Sequence, residues 1–206
     1  MPGRRPLIAI DGPAGSGKST VARAVARRLG VDHLDTGAMY RAVAYASLER
    51  DVDPADAEAV AALAAGLVIE VDGAVLVDGV DASAAVRGPE VTAVVSAVAS
   101  VPAVRAELVR RQRAWASSRD GGVVEGRDIG SVVFPGADVK VYLTASDEER
   151  SRRRAGEGGD GADLARRDGL DASRAVSPLQ VAEGAVVVDT TGLSVDEVVD
   201  AVLALL

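Results

Sequence analysis

Residues 12–19 read Gly-Pro-Ala-Gly-Ser-Gly-Lys-Ser and fit the pattern G-x-x-x-x-G-K-[ST] in full. A short apolar run at 7–10 precedes this segment, and Val21, Val25 and Leu29 follow it at the spacing of one helix face. The order of strand, loop and helix indicates a true phosphate-binding loop, because backbone N–H groups at a helix N-terminus attract an anion. The chain is therefore predicted to fold around a phosphate-binding loop.

Two residues of the loop have specific expected roles. Lys18 is predicted to reach the β- and γ-phosphates of a nucleotide, and the Ser19 hydroxyl to bind Mg²⁺. Lys18 and Lys140 are the only lysines in a chain with 23 basic residues, so a lysine stands where the motif demands one. This argues against an ordinary glycine-rich turn. The predicted nucleotide contacts are Gly12, Pro13, Ala14, Gly15, Ser16, Gly17, Lys18, Ser19 and Thr20.

Composition limits the class of protein. With 206 residues, 48% of them hydrophobic, the chain is long enough for one core with small inserted subdomains. Its formal net charge of −8 argues against a nucleic-acid duplex or an anionic membrane as a partner. The lack of cysteine excludes disulfides and thiolate chemistry. No stretch approaches the roughly 18 apolar residues of a membrane span. We expect a cytoplasmic monomer that binds small-molecule nucleotides.

The remaining apolar runs indicate an α/β fold. Residues 123–124, 139–143 and 185–188 resemble buried strands, each followed by a loop or helix, which predicts a parallel sheet flanked by helices. Ser146 and Ser194 each stand three residues before a glutamate, the pattern of a helix capping box. The acidic residues after these serines are therefore interpreted as parts of helix caps. The glycine-rich loop and the parallel sheet together predict the fold class of a P-loop NTPase.

Two segments depart from this alternation. Residues 66–81 contain short apolar strands joined by Asp-Gly turns, which predicts a small antiparallel sheet in an inserted subdomain. Residues 150–174 surround a glycine-rich centre with arginines. This second segment is either a solvated helix face or a lid that brings arginines over phosphates, and the loop at 12–19 favours the lid.

Four further stretches complete the pattern. Together with the glycine-rich loop they resemble the bacterial cytidylate kinase family, and the resemblance extends over essentially the whole chain. The stretches are Asp-Thr-Gly-Ala-Met-Tyr-Arg at 35–41, the segment 96–105, Glu-Gly-Arg-Asp-Ile-Gly at 125–130, and residues 167–179, which carry Arg-x-x-x-Asp-x-x-Arg before Ala-Val-Ser-Pro-Leu.

The resemblance implies a nucleoside monophosphate (NMP) kinase fold that transfers the γ-phosphoryl group of ATP to CMP or dCMP with Mg²⁺. It implies a parallel-sheet core over 1–37, 97–145 and 175–206. It also implies an NMP-binding subdomain over about 38–96, which holds the antiparallel sheet, and a short lid over about 146–174. By position, it assigns cytosine contacts to Ser96, Arg105 and Asp128, a ribose contact to Asp171, phosphate contacts to Arg41, Arg127, Arg167 and Arg174, and the acceptor-site lining to Thr36 and Tyr40. The implied catalytic residues are Lys18, Arg127, Arg167 and Arg174.

The chemistry agrees with these residue types. A phosphate acceptor with a second pKa near 6 is already a nucleophile at pH 7, so no general base is needed and His33 is interpreted as a structural residue. The lid is short and glycine-rich beside many relatives, and Leu170 and Ala172 stand where some relatives have basic residues. No second Mg²⁺ carboxylate is assigned. Three alternatives remain: a GTPase switch using Asp-Thr-Thr-Gly at 189–192, a kinase of a non-nucleotide acceptor, and a non-catalytic ATP-binding module.

Overall fold

The computed structural model of the chain describes residues 5–156, 169 and 179–206. The predicted site residues Arg167, Asp171 and Arg174, and most of the predicted lid, lie outside these ranges. Contacts divide the chain into two units: Met1–His33 with Trp115–Leu206, and Leu34–Ala114. The predicted insert at 38–96 falls within the second unit.

The described residues form the following regular elements. The strands are β1 (Leu7–Asp11), β2 (His33–Asp35), β3 (Ile69–Asp72), β4 (Ala74–Val77), β5 (Val80–Asp81), β6 (Gly122–Gly126), β7 (Val139–Thr144) and β8 (Val186–Asp189). The helices are α1 (Lys18–Leu29), α2 (Thr36–Glu49), α3 (Ala57–Gly66), α4 (Pro89–Ser100), α5 (Pro102–Arg119), α6 (Asp147–Gly156) and α7 (Val195–Leu203).

The first unit is built on a five-stranded sheet in the order β2-β6-β1-β7-β8. The pairs β1–β6, β1–β7 and β7–β8 are parallel, as the apolar runs predict. In this register Asp11 at the end of β1 lies opposite Gly126 at the end of β6. Because the carboxyl ends of parallel strands share one edge of a sheet, the loop at 12–17 and the residues after β6 meet there.

The core of this unit lies between the sheet and helices α1 and α7. Ile8 and Ile10 of β1 are fully buried against Val21 and Val25 of α1, while Leu29 is partly buried. Burying each such side chain contributes about 1.5–3 kcal/mol. The predicted apolar face of α1 is therefore confirmed, and its packing fixes where the helix N-terminus points.

The second unit contains the predicted antiparallel insert. Strands β3, β4 and β5 pair antiparallel in sequence order, with Ile69 opposite Val77. Gly73 and Gly79 have φ of 73° and 80°, which explains the glycine in each Asp-Gly turn. Helix α2 packs against α3, α4 and this small sheet.

Both predicted serine caps form, with one difference. The Ser194 hydroxyl accepts from the Glu197 amide and the Glu197 carboxylate accepts from the Ser194 amide, a complete capping box. The Ser146 hydroxyl likewise accepts from the Glu149 amide. The Glu149 carboxylate, however, binds Arg152 and Arg153 instead.

No single helix among the described residues combines the length and the apolar composition needed to cross a membrane. One pair, Pro89–Ser100 with Pro102–Arg119, meets these criteria only when joined, and it is bent by 94°.

Candidate active site

The loop at 12–17 connects β1 to α1 and depends on glycine at its first position. Gly12 has φ of 149°, and a Cβ built on it would stand 2.1 Å from the carbonyl oxygen of Leu143. Gly17 takes a left-handed conformation (φ 86°) as the N-cap residue of α1. Close backbone packing therefore excludes a side chain at Gly12, and the loop presents backbone amides at the start of a helix.

Lys18 and Ser19 begin α1 and point to different partners. The Lys18 ammonium donates to the Pro13 carbonyl, at 2.6 Å, and so spans the loop. The Ser19 hydroxyl donates to Oε2 of Glu125, at 2.7 Å. Glu125 lies in β6 and is buried. Hydroxyl and carboxylate oxygens are ligands that Mg²⁺ prefers, so this pair has the donor chemistry of a magnesium site.

His33, at the start of β2, contacts the same carboxylate. Its Nε2 lies 3.0 Å from Oε1 of Glu125. An ionised carboxylate has only acceptor oxygens, so in this contact the ring nitrogen is the donor. Ser19, Glu125 and His33 therefore form one hydrogen-bonded chain across α1, β6 and β2.

The segment that follows Glu125 is held by Asp11 at the end of β1. Both oxygens of Asp11 accept backbone amides at 2.7 Å, from Ile129 and Gly130. These amides begin a wide π-type helical turn, Ile129–Val133, in which the carbonyl of Asp128 accepts from the next turn. Arg127 is half-buried and Asp128 is buried just before this turn. The predicted pair Arg127 and Asp128 is thus placed at the carboxyl edge of the sheet.

Helix α6 packs on the loop through two arginines. Arg150 donates to the Ala14 carbonyl at 3.1 Å. Arg153 donates to both the hydroxyl and the carbonyl of Thr190 at 2.9 Å, and that hydroxyl lies 3.2 Å from the Ser16 carbonyl. The start of the predicted lid is therefore bound to the loop backbone, directly and through Thr190.

The second unit places the other predicted acceptor residues on α2, α4 and α5. Arg41 of α2 donates to the carbonyl of Val86 and the hydroxyl of Thr92, both at 2.9 Å. Thr36 is buried and Ser96 is half-buried.

Tyr40 and Arg105 are brought together in the same unit. The guanidinium carbon of Arg105 lies 5.5 Å from the centroid of the Tyr40 ring. Arg105 is 4% exposed and donates to the carbonyl of Ala99, in the helix that carries Ser96. A cation held against an aromatic face has a defined direction, which suits recognition of a polar ligand.

Asp11, Glu125 and Thr190 carry no role predicted from the sequence, and the role predicted for His33 is structural. A signal existed for Asp11 and Glu125, since each is an acid at the end of an apolar run. Parallel strands place such residues on one edge of the sheet. His33 and Thr190 had no such signal, because their contacts join residues 92 and 174 positions apart.

A sequence model of the cytidylate kinase family matches residues 8–206. The chain is 51% identical over 209 residues to the cytidylate kinase of Mycolicibacterium paratuberculosis (strain ATCC BAA-968 / K-10), covering 94% of this chain and 92% of that protein. It is 50% identical over 212 residues to that of Rhodococcus opacus (strain B4), covering 96% and 93%. Among solved structures it resembles a gluconokinase from Sinorhizobium meliloti 1021, with a TM-score of 0.54 at 17% identity, covering 98% and 91%. This last likeness concerns the fold alone and agrees with the predicted P-loop kinase class.

Proposed function

Because the chain belongs to the cytidylate kinase family, we propose that it transfers the γ-phosphoryl group of ATP to CMP and dCMP. The observation that carries this proposal is the family match over residues 8–206, which includes both the glycine-rich loop and the stretches resembling an acceptor site. The chain is thus a kinase, and the acceptor and the residue roles below are what we propose.

The donor side is assigned to the loop between β1 and α1. Its amides and the N-terminus of α1 favour the phosphates of ATP, since they present positive partial charge without a counterion. Lys18 adds a full charge, and its contact with the Pro13 carbonyl holds it across the loop. Residues Gly12 to Thr20 are proposed as the ATP contacts.

Mg²⁺ fits the donor set at the start of α1. We propose that Ser19 and Glu125, whose oxygens are 2.7 Å apart, would hold the ion beside the triphosphate. No cluster of three or more His, Asp or Glu side chains occurs among the described residues, which suits Mg²⁺, because this ion usually takes one or two protein ligands and substrate phosphates. When bound, the ion would neutralise charge on the transferring phosphates.

The acceptor is proposed to contact Thr36, Tyr40, Arg41, Ser96, Arg105, Arg127 and Asp128, together with Arg167, Asp171 and Arg174 outside the described residues. Guanidinium groups match phosphate oxygens bidentately and keep their charge at every physiological pH. Ser96 and Asp128 supply the hydroxyl and carboxylate that hydrogen-bond to a base edge.

The proposed reaction needs alignment and charge neutralisation more than proton transfer. The phosphate of CMP loses its second proton with a pKa near 6. At pH 7 it therefore attacks the γ-phosphorus without a general base. Lys18, Arg127, Arg167 and Arg174 are the proposed catalytic residues, because they balance charge on the phosphoryl group as it moves. The expectations of a monomer and of a cytoplasmic location stay predictions.

A coupled assay of ADP release tests the proposal. Purified protein with Mg²⁺ and ATP is offered CMP, dCMP, UMP, AMP or shikimate at equal concentration, with Lys18→Ala as the inactive control. We expect turnover with CMP and dCMP, much less with UMP, and a loss of about 10³ in Lys18→Ala, or about 4 kcal/mol. Equal or faster turnover with UMP, AMP or shikimate would exclude the cytosine assignment.

A further inference from the structure

We propose that His33 is a positioning residue for the metal-bound donor: it holds Glu125 so that the other carboxylate oxygen meets Ser19. The inference rests on the proposed function in one respect, the assignment of Ser19 and Glu125 to Mg²⁺. His33 contacts the oxygen of Glu125 that Ser19 does not contact.

The carboxylate of Glu125 is buried and held at both of its oxygens. Its side chain is 3% exposed, and its two oxygens face opposite partners. Oε2 accepts from Ser19 at 2.7 Å, and Oε1 accepts from His33 at 3.0 Å. A buried carboxylate is costly without hydrogen bonds, so each of these contacts stabilises one orientation of the side chain.

The fold places His33 where it can hold this orientation. It begins β2, the strand next to β6 in the sheet, and its side chain is only 17% exposed. The sheet fixes the distance between the two backbones, so the length of the side chain at position 33 decides whether a donor reaches Oε1. The imidazole reaches it with Nε2, the far nitrogen of the ring.

A defined consequence follows for binding. If Glu125 loses the donor at Oε1, its carboxylate is less well held, and Oε2 is less often directed at Ser19. Outer-shell partners of metal ligands typically change metal affinity 10- to 100-fold. The effect should appear in the affinity for ATP with Mg²⁺, and be small for ATP without metal, because the loop amides and Lys18 are untouched.

Three substitutions at position 33 separate the effect of side-chain length from the effect of having a polar group. In His33→Gln the amide nitrogen occupies about the position of Nε2 and keeps a donor to Glu125. In His33→Asn the same amide is one carbon shorter and corresponds to the near nitrogen of the ring. His33→Leu removes the donor and keeps the bulk.

The experiment measures ATP binding by calorimetry at pH 7.5, with Mg²⁺ and with EDTA, after thermal unfolding has shown that each variant folds. We expect His33→Asn and His33→Leu to bind ATP with Mg²⁺ about 10-fold more weakly, and ATP in EDTA within twofold of the native chain. His33→Gln should bind ATP with Mg²⁺ within threefold of the native chain. In activity assays KM for ATP with Mg²⁺ should rise while KM for CMP stays within twofold.

Two results would overturn the inference. One is that His33→Asn weakens ATP binding equally with and without metal, which would make the effect a structural one. The other is that His33→Gln binds ATP with Mg²⁺ as weakly as His33→Asn. The length of the side chain at position 33 would then not determine whether Glu125 is held. His33→Asn is polar and of similar size, so it keeps the test decisive even where His33→Leu does not fold. Because calorimetry with ATP needs no acceptor, failure of the proposed CMP phosphorylation is detected separately.

Discussion

Asp11 is a buried carboxylate that connects the end of β1 to the segment carrying Arg127 and Asp128. It accepts two backbone amides, from Ile129 and Gly130, and those bonds favour the ionised form. Burial has the larger effect and raises the pKa of Asp11 from 3.8 to about 6. The folded chain therefore binds a proton at Asp11 at pH values where the unfolded chain has released it.

This shift predicts how Asp11 affects stability. Between pH 3.8 and about 6 the folded state binds more protons at Asp11, so the contribution of this residue to the free energy of unfolding falls as pH rises. The fall amounts to about 3 kcal/mol and is complete above about pH 7. In Asp11→Asn nothing titrates at this position. The difference in unfolding free energy between native and variant protein, measured with urea from pH 4 to 8, should decrease as pH rises.

Asp189→Asn is a control of opposite sign. The side-chain and backbone hydrogen bonds from Thr191 lower the pKa of Asp189 below its usual value. Its contribution to stability is therefore present at neutral pH and is lost as pH falls. A native-minus-variant difference that increases with pH for Asp11→Asn as well would contradict the raised pKa.

At the scale of elements, the loop between β1 and α1 is tightly constrained at Gly12. It passes so close to β7 that the Leu143 carbonyl occupies the place of a side chain at Gly12. The Leu143 carbonyl is part of the backbone of β7, so it cannot move away from Gly12 without displacing that strand.

Gly12→Ala should therefore damage both stability and donor binding. We expect an unfolding free energy lower by about 3 kcal/mol, because the added methyl group would overlap a backbone atom. For a chain of this size that corresponds to a fall in Tm of roughly 6–12 °C. ATP affinity should fall too, because the loop amides are displaced. Calorimetry of unfolding and of ATP binding measures both.

Gly136→Ala is the matched control. A Cβ at Gly136 meets no atom within 4 Å, and the backbone there needs no positive φ. The same methyl group should leave Tm within about 2 °C and ATP affinity within twofold. If Gly12→Ala behaved like this control, the close approach to Leu143 would not constrain the loop.

Helix α6 contains the first arginines of the segment 150–174, for which the sequence allows either a solvated helix face or a lid. Arg152 is exposed and pairs with Glu149, as expected of a solvated helix face. Arg150 and Arg153 instead reach the Ala14 carbonyl and Thr190. One short run of arginines thus serves two purposes, and composition cannot separate them, since only the rotation of the helix decides which side chains face the loop.

At the scale of the whole molecule, an acidic chain is proposed to bring together two polyanions. The formal charge of −8 opposes this, and ATP and CMP add further negative charge. Local cations must therefore act at short range, where arginine forks replace the water around each phosphate. The arginines that the resemblance assigns to this task as catalytic residues are Arg127, Arg167 and Arg174.

Arg174→Ala tests this charge balance. We expect kcat with CMP to fall by about 10³, or about 4 kcal/mol of transition-state stabilisation, since an arginine on the transferring phosphoryl group is worth this much. Tm should stay within about 2 °C. Steady-state kinetics with saturating ATP and CMP measure the loss.

Arg28→Ala is the control for removing one positive charge. Arg28 is largely exposed on α1 and pairs with Asp200, itself exposed. Such a pair contributes little to stability, so kcat should change less than twofold. If Arg174→Ala lost under threefold in kcat, the role carried over from the family would be wrong for this chain.

Much of the protein was determined by its sequence alone, because the signals are local. The strand, glycine loop and helix at 7–29 follow from apolar spacing and glycine conformation, and the Asp-Gly turns predict the antiparallel insert; the structure has both. Membership of the cytidylate kinase family and the P-loop kinase fold are confirmed. The assigned contacts to ATP and CMP stay predictions.

Only the tertiary structure decided which distant residues support the loop. The contacts of Glu125 with Ser19 and His33, and of Thr190 with Ser16, join strands and helices far apart in the chain. They depend on sheet order and on the rotation of each element, which local patterns do not encode. A histidine or threonine is compatible with many surroundings, so its role appears only when its neighbours are known.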